Sequence, residues 1–300
     1  MGGNASKKEA PVTPAEEPDT SDRLKERKYS WTERILGRGE LSTVYYALLR
    51  NTGRQVAIKR IAADQLTPKT VARLTTEAKI LHEVSQKIGV SEKFAGIIEG
   101  FIDHQGGMCI VMDHIDGYDL FDLLRRNPRG LSEKKAKKMI MQIFEAVLIL
   151  HASDIAHLDL KLENIMYDTV NKTIKLIDFG FATKTHKVDL ETGHKENIYL
   201  DNFCGSLYYL SPEIVKKQKF LGKPADIWSL GVVCYALLTG KFPFEGQRPP
   251  KVYEKILQCN VVMPDHLSEG AKNILTTMFQ PIAADRYTIL DLLQHPWLYN

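Results

Sequence analysis

Between residues 157 and 168 the sequence runs HLDLKLENIMYD, and three of its side chains could act together in phosphoryl transfer. Asp159 offers a carboxylate that could lie near an attacking hydroxyl and Asn164 an amide oxygen for a metal ion, with the cation of Lys161 between them in sequence. A second metal-binding oxygen comes from Asp178. It follows the apolar run TIKLI and precedes Phe179-Gly180, so the carboxylate emerges at a strand end beside a residue that permits a sharp bend. Any one of these could be an ordinary turn residue. In this order they supply the carboxylate and the metal ligands that the reaction requires.

Phosphate-binding candidates lie upstream. Gly37-Arg38-Gly39-Glu40-Leu41-Ser42 opens a turn that continues into Val44, and glycines there let backbone amides approach a phosphate. Ser42 stands where a third glycine would complete the pattern, and alone the stretch reads equally as a tight hairpin. Lys59, in Ala57-Ile58-Lys59, sits on a β-like run that would hold it in place. Glu77, on the helix that follows, is its natural counter-ion; Arg73 one turn earlier is a competing local partner for Glu77, and Glu83 is a poorer substitute for it.

The elements that must carry these residues are legible in outline. From Tyr29 come short β-like runs (WTERILG, STVYYALLR, QVAIKRI), interrupted by the turn RNTG. Thr67-Pro68 opens a helix with Val71, Leu74, Ala78 and Leu81 as its apolar face. Two more strands, GIIEGFIDH and GMCIVMDHI, complete an antiparallel sheet. After Gly117 the pattern is mostly helical, with apolar stripes at Ile140, Ile143, Phe144, Val147, Leu148 and at Ile227, Leu230, Val233, Cys234, Leu237. This is an α+β chain: a small β-rich lobe with one main helix over about 29–113, then a larger, mostly helical lobe over about 116–300. Residues 1–28, rich in Pro and acidic side chains, are expected to form a disordered tail.

Composition excludes other classes. The apolar fraction of 44% suits a globular core, and a net charge of +3 gives no field for nucleic acid. LSEKKAKKM and IVKKQKF read as solvated helix faces. Cys109, Cys204, Cys234 and Cys259 are dispersed, without C-x-x-C spacing, which predicts neither zinc nor disulfides and points to a reducing, cytoplasmic setting. Apolar runs fall far short of a membrane span, and residues 1–28 are polar throughout, without a secretory signal. Met1-Gly2-Gly3-Asn4-Ala5-Ser6 fits the pattern for myristoylation on Gly2, against the competing reading of a flexible start matching a loose pattern. One acyl chain would give only peripheral, reversible membrane attachment.

From about Tyr29 to Leu298 the chain resembles the eukaryotic protein kinase family. The resemblance rests on Gly37, Gly39, Val44, Ala57, Lys59, Glu77, His157, Asp159, Lys161, Asn164 and Asp178, then on Gly205, Pro212-Glu213, Asp226, Gly231 and Arg286. It implies a bilobal kinase fold acting on ATP with Mg²⁺, or Mn²⁺ in its place, and on protein substrates. The loop Gly37–Ser42 would cover the ATP phosphates, Lys59 would contact them with Glu77 positioning it, and Asn164 and Asp178 would hold the metal. Asp159 would take the hydroxyl proton and Lys161 would stabilise the phosphoryl group. Val44, Ala57 and Met166 would sandwich adenine, with Met112 gating the pocket and Asp113–Ile115 as the hinge. Glu213–Arg286 resembles a structural ion pair, Asp226 a residue that holds the catalytic-loop backbone, and His157 a packed core residue.

Lys161 and CGSLYYLSPE resemble the serine/threonine type. His-Leu-Asp, GYDLFDLL and DIWSLGVVCYALLTGKFPF resemble the calmodulin-dependent group, including death-associated and myosin-light-chain relatives, while GSLYY is similar to the AMP-activated ones. Leu158 stands where many members carry an Arg that binds an activation-loop phosphate, and Asn202 stands at the usual phosphoacceptor position. Both halves of that switch are absent, which predicts activity without phosphorylation there. The loop between Asp178 and Glu213 is longer than in close relatives. Its insert, KTHKVDLETGHKENIYLDN, would order itself or dock a partner, with Thr183, Thr185, Thr192 and Tyr199 as alternative modification sites. Asp119 and Glu163 sit where basophilic relatives hold an Arg, which predicts R-x-x-[S/T] substrates; Ala236 removes a second such pocket, and Asp119 binding ribose is the competing role. A pseudokinase scaffold is the alternative function; it would need a missing Lys or Asp, and none is missing. A small-molecule phosphotransferase is disfavoured by the Ser206 segment and SPE motif, which build a peptide-binding floor.

Overall fold

The computed structural model describes residues 20–39, 41–85, 91–189 and 191–299. The chain folds into two compact units, Met1–Leu66 with Glu99–Val111, and Thr67–Ile98 with Met112–Asn300. The second unit resumes at Met112, next to the lobe boundary expected near residue 113, and it also takes in Thr67–Ile98, which the sequence pattern assigns to the smaller lobe.

The first unit is built on a sheet of order β1-β2-β3-β5-β4, from β1 (Tyr29–Arg38), β2 (Thr43–Leu49), β3 (Gln55–Ile61), β4 (Ile97–Ile102) and β5 (Met108–Asp113). Antiparallel pairing places Gly37 opposite Val44 and Val44 opposite Lys59. Directly opposed residues share a face, as do residues two apart on one strand, so Val44, Lys59 and Ala57 lie on one side of the sheet. A helix, α1 (Thr20–Arg27), precedes the sheet. The expectation of a disordered tail is therefore corrected over residues 20–27. Polar contacts hold this helix rather than apolar burial: Glu26 accepts from the backbone N–H of His104 at 3.0 Å and lies 2.7 Å from its ring Nδ1, and just after the helix Lys28 pairs with Glu99 at 3.2 Å. Residues 1–19, with Gly2, lie outside the described residues.

The second unit opens with α2 (Pro68–Ser85). Its start is the predicted one: the Thr67 hydroxyl caps the N–H of Thr70 at 3.1 Å, and Pro68 takes the first turn, where its missing N–H costs nothing. Its buried face is rotated from the expected one. Leu74, Glu77, Ile80, Leu81 and Val84 are buried, while Val71 is 39% exposed. A three-stranded sheet follows in the order β6-β8-β9, from β6 (Gly117–Asp119), β8 (Ile165–Asp168) and β9 (Thr173–Leu176). Two-stranded ladders join β7 (Ile155–Ala156) to β10 (Thr183–Lys184) and β11 (His186–Val188) to β12 (Lys195–Asn197). The helices are α3 (Leu120–Arg126), α4 (Glu133–Ala152), α5 (Pro212–Val215), α6 (Gly222–Thr239), α7 (Pro249–Gln258), α8 (Glu269–Met278) and α9 (Ile289–Leu293).

Helix α6 is apolar nearly all round and is accordingly sunk in the core. Trp228 stacks on Phe244 at 5.4 Å, and both meet Phe279 edge-on. Glu213 and Arg286 form the predicted buried pair, two parallel hydrogen bonds of 2.7 Å, and the guanidinium also lies over Trp228. Among the described residues no helix is long and apolar enough to cross a membrane.

Candidate active site

Asp159 is buried, and its carboxylate is spoken for on both oxygens. Oδ1 accepts from the Ser206 hydroxyl at 2.9 Å; Oδ2 accepts from Lys161 Nζ at 2.7 Å and from Asn164 Nδ2 at 3.0 Å. Lys161 Nζ also donates to Ser206 Oγ at 3.0 Å, closing a three-residue ring. Asn164 spends its second N–H on the Asp159 carbonyl at 2.9 Å. With both N–H groups used, its remaining polar atom is the amide oxygen, an acceptor suited to a hard cation.

The loop that carries Asp159 has an uncommon backbone. Leu158 sits at φ +62°, a left-handed conformation that a side chain with a Cβ avoids at a cost of about 1–2 kcal/mol. Asp226, at the start of α6, fixes it. One carboxylate oxygen accepts from the Leu158 N–H at 2.8 Å, the other from the His157 N–H at 2.8 Å, and His151 Nε2 reaches the same carboxylate at 3.0 Å. His157 is fully buried and packs on Phe179 at 4.9 Å, and Phe94 meets Phe179 edge-on, which agrees with His157 as a core residue. The Leu158 side chain is buried as well, its Cδ2 beside Gly222, and its carbonyl lies against Gly205. Burial first, then the charges of Asp159 and Asp226, push the Cys204 thiol up to about 11.

Asp178 also adopts a left-handed backbone, φ +58°, and one of its oxygens accepts from the Gly180 N–H at 3.3 Å. Its carboxylate is exposed, and together with the free oxygen of Asn164 it offers the small set of hard oxygen ligands that Mg²⁺ takes when substrate phosphates complete the shell. Among the described residues no cluster of three or more His, Cys, Asp or Glu side chains forms a self-sufficient metal cage.

In the first unit, the turn between β1 and β2 is closed by the Gly39 N–H donating to the Ser42 carbonyl at 2.8 Å, with Arg38 opposite Thr43. Leu41 is exposed, and Glu40 lies outside the described residues. Lys59 is half-buried on β3 in this unit, whereas Glu77 is 4% exposed on α2 in the other. Arg73, one turn before Glu77, has partners beyond its own helix. Its guanidinium donates to the Gly180 carbonyl at 2.6 Å and lies 4.0 Å over the Phe181 ring, and Glu83 pairs with Lys184 at 2.6 Å. Met166 on β8 faces Asp119 on β6, and Met112, Asp113 and Ile115 precede β6, with the Asp113 N–H donating to Gly96 at 3.0 Å.

Asp119 caps α3, one oxygen accepting from the Asp122 N–H at 2.7 Å, and burial raises its pKa. Glu163 accepts from Tyr209 at 3.4 Å and opens onto a groove of about 710 Å³ lined by Phe121, Ser206, Tyr208, Phe242 and Glu245. Glu245 was missed in the sequence, where only its place after the apolar run FPF hinted at a groove wall. Ser206 was read as floor, not as the hydroxyl on Asp159; that contact spans 47 residues and leaves no local signature.

The two-unit fold and this constellation define a phosphotransferase domain, and comparison with known proteins agrees. Residues 31–298 match the family described as Protein kinase domain. The chain is 32% identical over 266 residues to the human SNF-related serine/threonine-protein kinase, covering 89% of this chain and 33% of that protein. It is 33% identical over 265 residues to the Schizosaccharomyces pombe mitosis inducer protein kinase cdr1, covering 88% of this chain and 41% of that one. The chain thus spans well under half the length of these relatives. It belongs to the protein kinase family. Within that family it falls with serine/threonine kinases similar to the calmodulin-dependent group.

Proposed function

We propose that the domain transfers the γ-phosphoryl group of ATP to serine or threonine hydroxyls of proteins, that it favours an Arg three residues before the acceptor, and that it needs no phosphate at the position of Asn202. The observation that carries the proposal is the hydrogen-bonded ring of Asp159, Lys161 and Ser206, with Asn164 locked onto Asp159.

Asp159 is poised to orient the acceptor hydroxyl and take its proton as the hydroxyl oxygen bonds to the γ-phosphorus and the bond to the β-phosphate breaks, releasing ADP. Lys161, two residues on, places a cation beside the same oxygen, where negative charge spreads over the transferred group. Asn164 and Asp178 are the residues that would hold Mg²⁺, which would supply positive charge against that of the phosphates. Gly37–Ser42 would cover the phosphates, Lys59 would contact them with Glu77 as its counter-ion, and Val44, Ala57 and Met166 would flank adenine, beside Met112, Asp113 and Ile115.

Glu163, exposed at the groove, supports recognition of an upstream Arg; Asp119 is a weaker candidate because one of its oxygens is already a helix cap. The buried apolar Leu158 supports activity without a loop phosphate, since it offers no donor for one. The cytoplasm, with at most peripheral membrane contact through an acylated Gly2, is the proposed location. The test is transfer from Mg·ATP to a library of Ser, Thr and Tyr peptides with Arg or Ala at the third position upstream. Incorporation into Ser and Thr peptides, favouring Arg, is expected; a preference for Tyr, or none for Arg, would overturn the corresponding part.

A further inference from the structure

We propose that Asp154 is a positioning residue for this reaction, an anion fixed on the body of the second unit that clasps the inserted hairpin of the activation segment in place of an activation-loop phosphate. The inference rests on the phosphate-independent reading above and names the group that makes such independence feasible.

Asp154 lies in the turn between α4 and β7, held at φ +56°. Its carboxylate gathers three basic groups. Lys195 Nζ, on β12 of the hairpin, donates at 2.8 Å; Lys223 Nζ, on α6, donates at 2.9 Å; and His186 Nδ1, on β11, lies at 3.0 Å. Hydrogen bonds from Lys195 and Lys223 hold the carboxyl well below the usual carboxylate range. Backbone bonds reinforce the same junction: the Thr185 N–H donates to the Asp154 carbonyl at 2.8 Å, and the Ile198 N–H donates to the Thr185 carbonyl at 2.8 Å. Both ends of the hairpin are thereby tied to one turn.

The hairpin itself is locally encoded. Asp189 accepts from the N–H groups of Glu191 at 2.9 Å and Thr192 at 2.8 Å, and Gly193 takes the left-handed position at φ +68°. Such a turn gives the insert its shape but does not fix it to the body. Asp154 does that, and the restraint passes onward. Leu200 and Phe220 exchange hydrogen bonds of 2.8 and 2.9 Å, after which the chain reaches Gly205 and Ser206, whose hydroxyl sits on Asp159. Upstream of the hairpin, Arg73 on Gly180 and Glu83 on Lys184 hold the other end of the segment. The usual arrangement, an anion on the segment captured by cations on the body, is here reversed.

The test uses the full chain after phosphatase treatment, with Asp154→Asn, Asp154→Glu, Lys195→Met and, as control on the same hairpin, Lys187→Met. Hydrogen exchange at the amides of Thr185 and Ile198 and the steady-state constants for peptide and ATP are measured. Asp154→Asn is expected to speed exchange and lower peptide kcat/KM by about tenfold or more, with ATP KM unchanged, because charge-assisted bonds to two ammonium groups are lost. Lys195→Met should show a smaller effect of the same kind, since Lys223 and His186 remain, and adding it to Asp154→Asn should change little. Asp154→Glu should recover part of the activity, and Lys187→Met should match wild type. A folded Asp154→Asn with wild-type exchange and peptide kinetics overturns the clasp; if that variant does not fold, Lys195→Met decides, its side chain being 60% exposed. Wild type that is inert after phosphatase treatment would instead overturn phosphate independence, and the exchange data would still decide whether Asp154 orders the hairpin.

Discussion

Replacing Asp226 by Asn tests how the catalytic loop is held. Asp226 is 1% exposed and accepts two backbone N–H groups at 2.8 Å each, on different oxygens. The amide keeps one acceptor oxygen and turns the other atom into a donor that faces an N–H. One charge-assisted bond is lost, worth about 1.5–3 kcal/mol, and a buried donor is left without a partner. The left-handed Leu158, which costs about 1–2 kcal/mol, then has less to hold it. Together these give a loss of about 3 kcal/mol, which for a chain of this size lowers the Tm by roughly 5 °C. Relaxation of residues 157–159 would also displace Asp159, and a shift of about 1 Å lowers kcat by about 100-fold. Thermal unfolding with steady-state kinetics checks both numbers, with ATP KM expected to stay near wild type. A variant within about 2 °C in Tm and about threefold in kcat would refute the argument that Asp226 fixes the loop.

Further outcomes follow from the same geometry. Arg286→Met leaves Glu213 buried and unpaired and should cost about 3–5 kcal/mol in urea unfolding at pH 7. Burial pushes the Glu213 carboxyl up, but the Arg286 hydrogen bonds and charge outweigh it, so its folded pKa is lowered. The pair's contribution is therefore full above the unfolded value of about 4.3 and is lost as pH falls through the folded pKa; in Arg286→Met, acidification toward pH 5 should instead narrow the deficit. Ser206→Ala removes the hydroxyl between Asp159 and Lys161 and should lower peptide kcat/KM by about tenfold, with ATP KM unchanged. Glu163→Ala should reduce the preference for an upstream Arg over Ala by about tenfold in matched peptides, leaving kcat for the Ala peptide near wild type.

What the sequence disclosed was mostly what neighbouring residues decide. Thr67 and Pro68 announced α2 because a cap and a first-turn proline act locally. Asp159, Asn164 and Asp178 were legible because their chemistry depends on residue type and short spacing. The face of α2 was misjudged only at Val71, which is exposed, because apolar spacing alone does not say which edge of the stripe meets the core; Glu77 lies on the buried side, as expected. Helix α1 was missed because polar contacts hold it, and Glu26 finds its partner 78 residues away. The clasp at Asp154 was likewise invisible: Lys195 is 41 residues distant and Lys223 is 69, and no local pattern marks such a meeting.

The most direct test of the account is phosphate transfer to an R-x-x-S peptide by phosphatase-treated protein, with mass spectrometry verifying that residues 183–206 carry no phosphate and Asp178→Ala as control. Robust transfer by wild type and none by the control is the predicted result. Transfer that appears only after a phosphate is restored to that segment would contradict phosphate independence, and transfer by Asp178→Ala at the wild-type rate would contradict the assignment of the site.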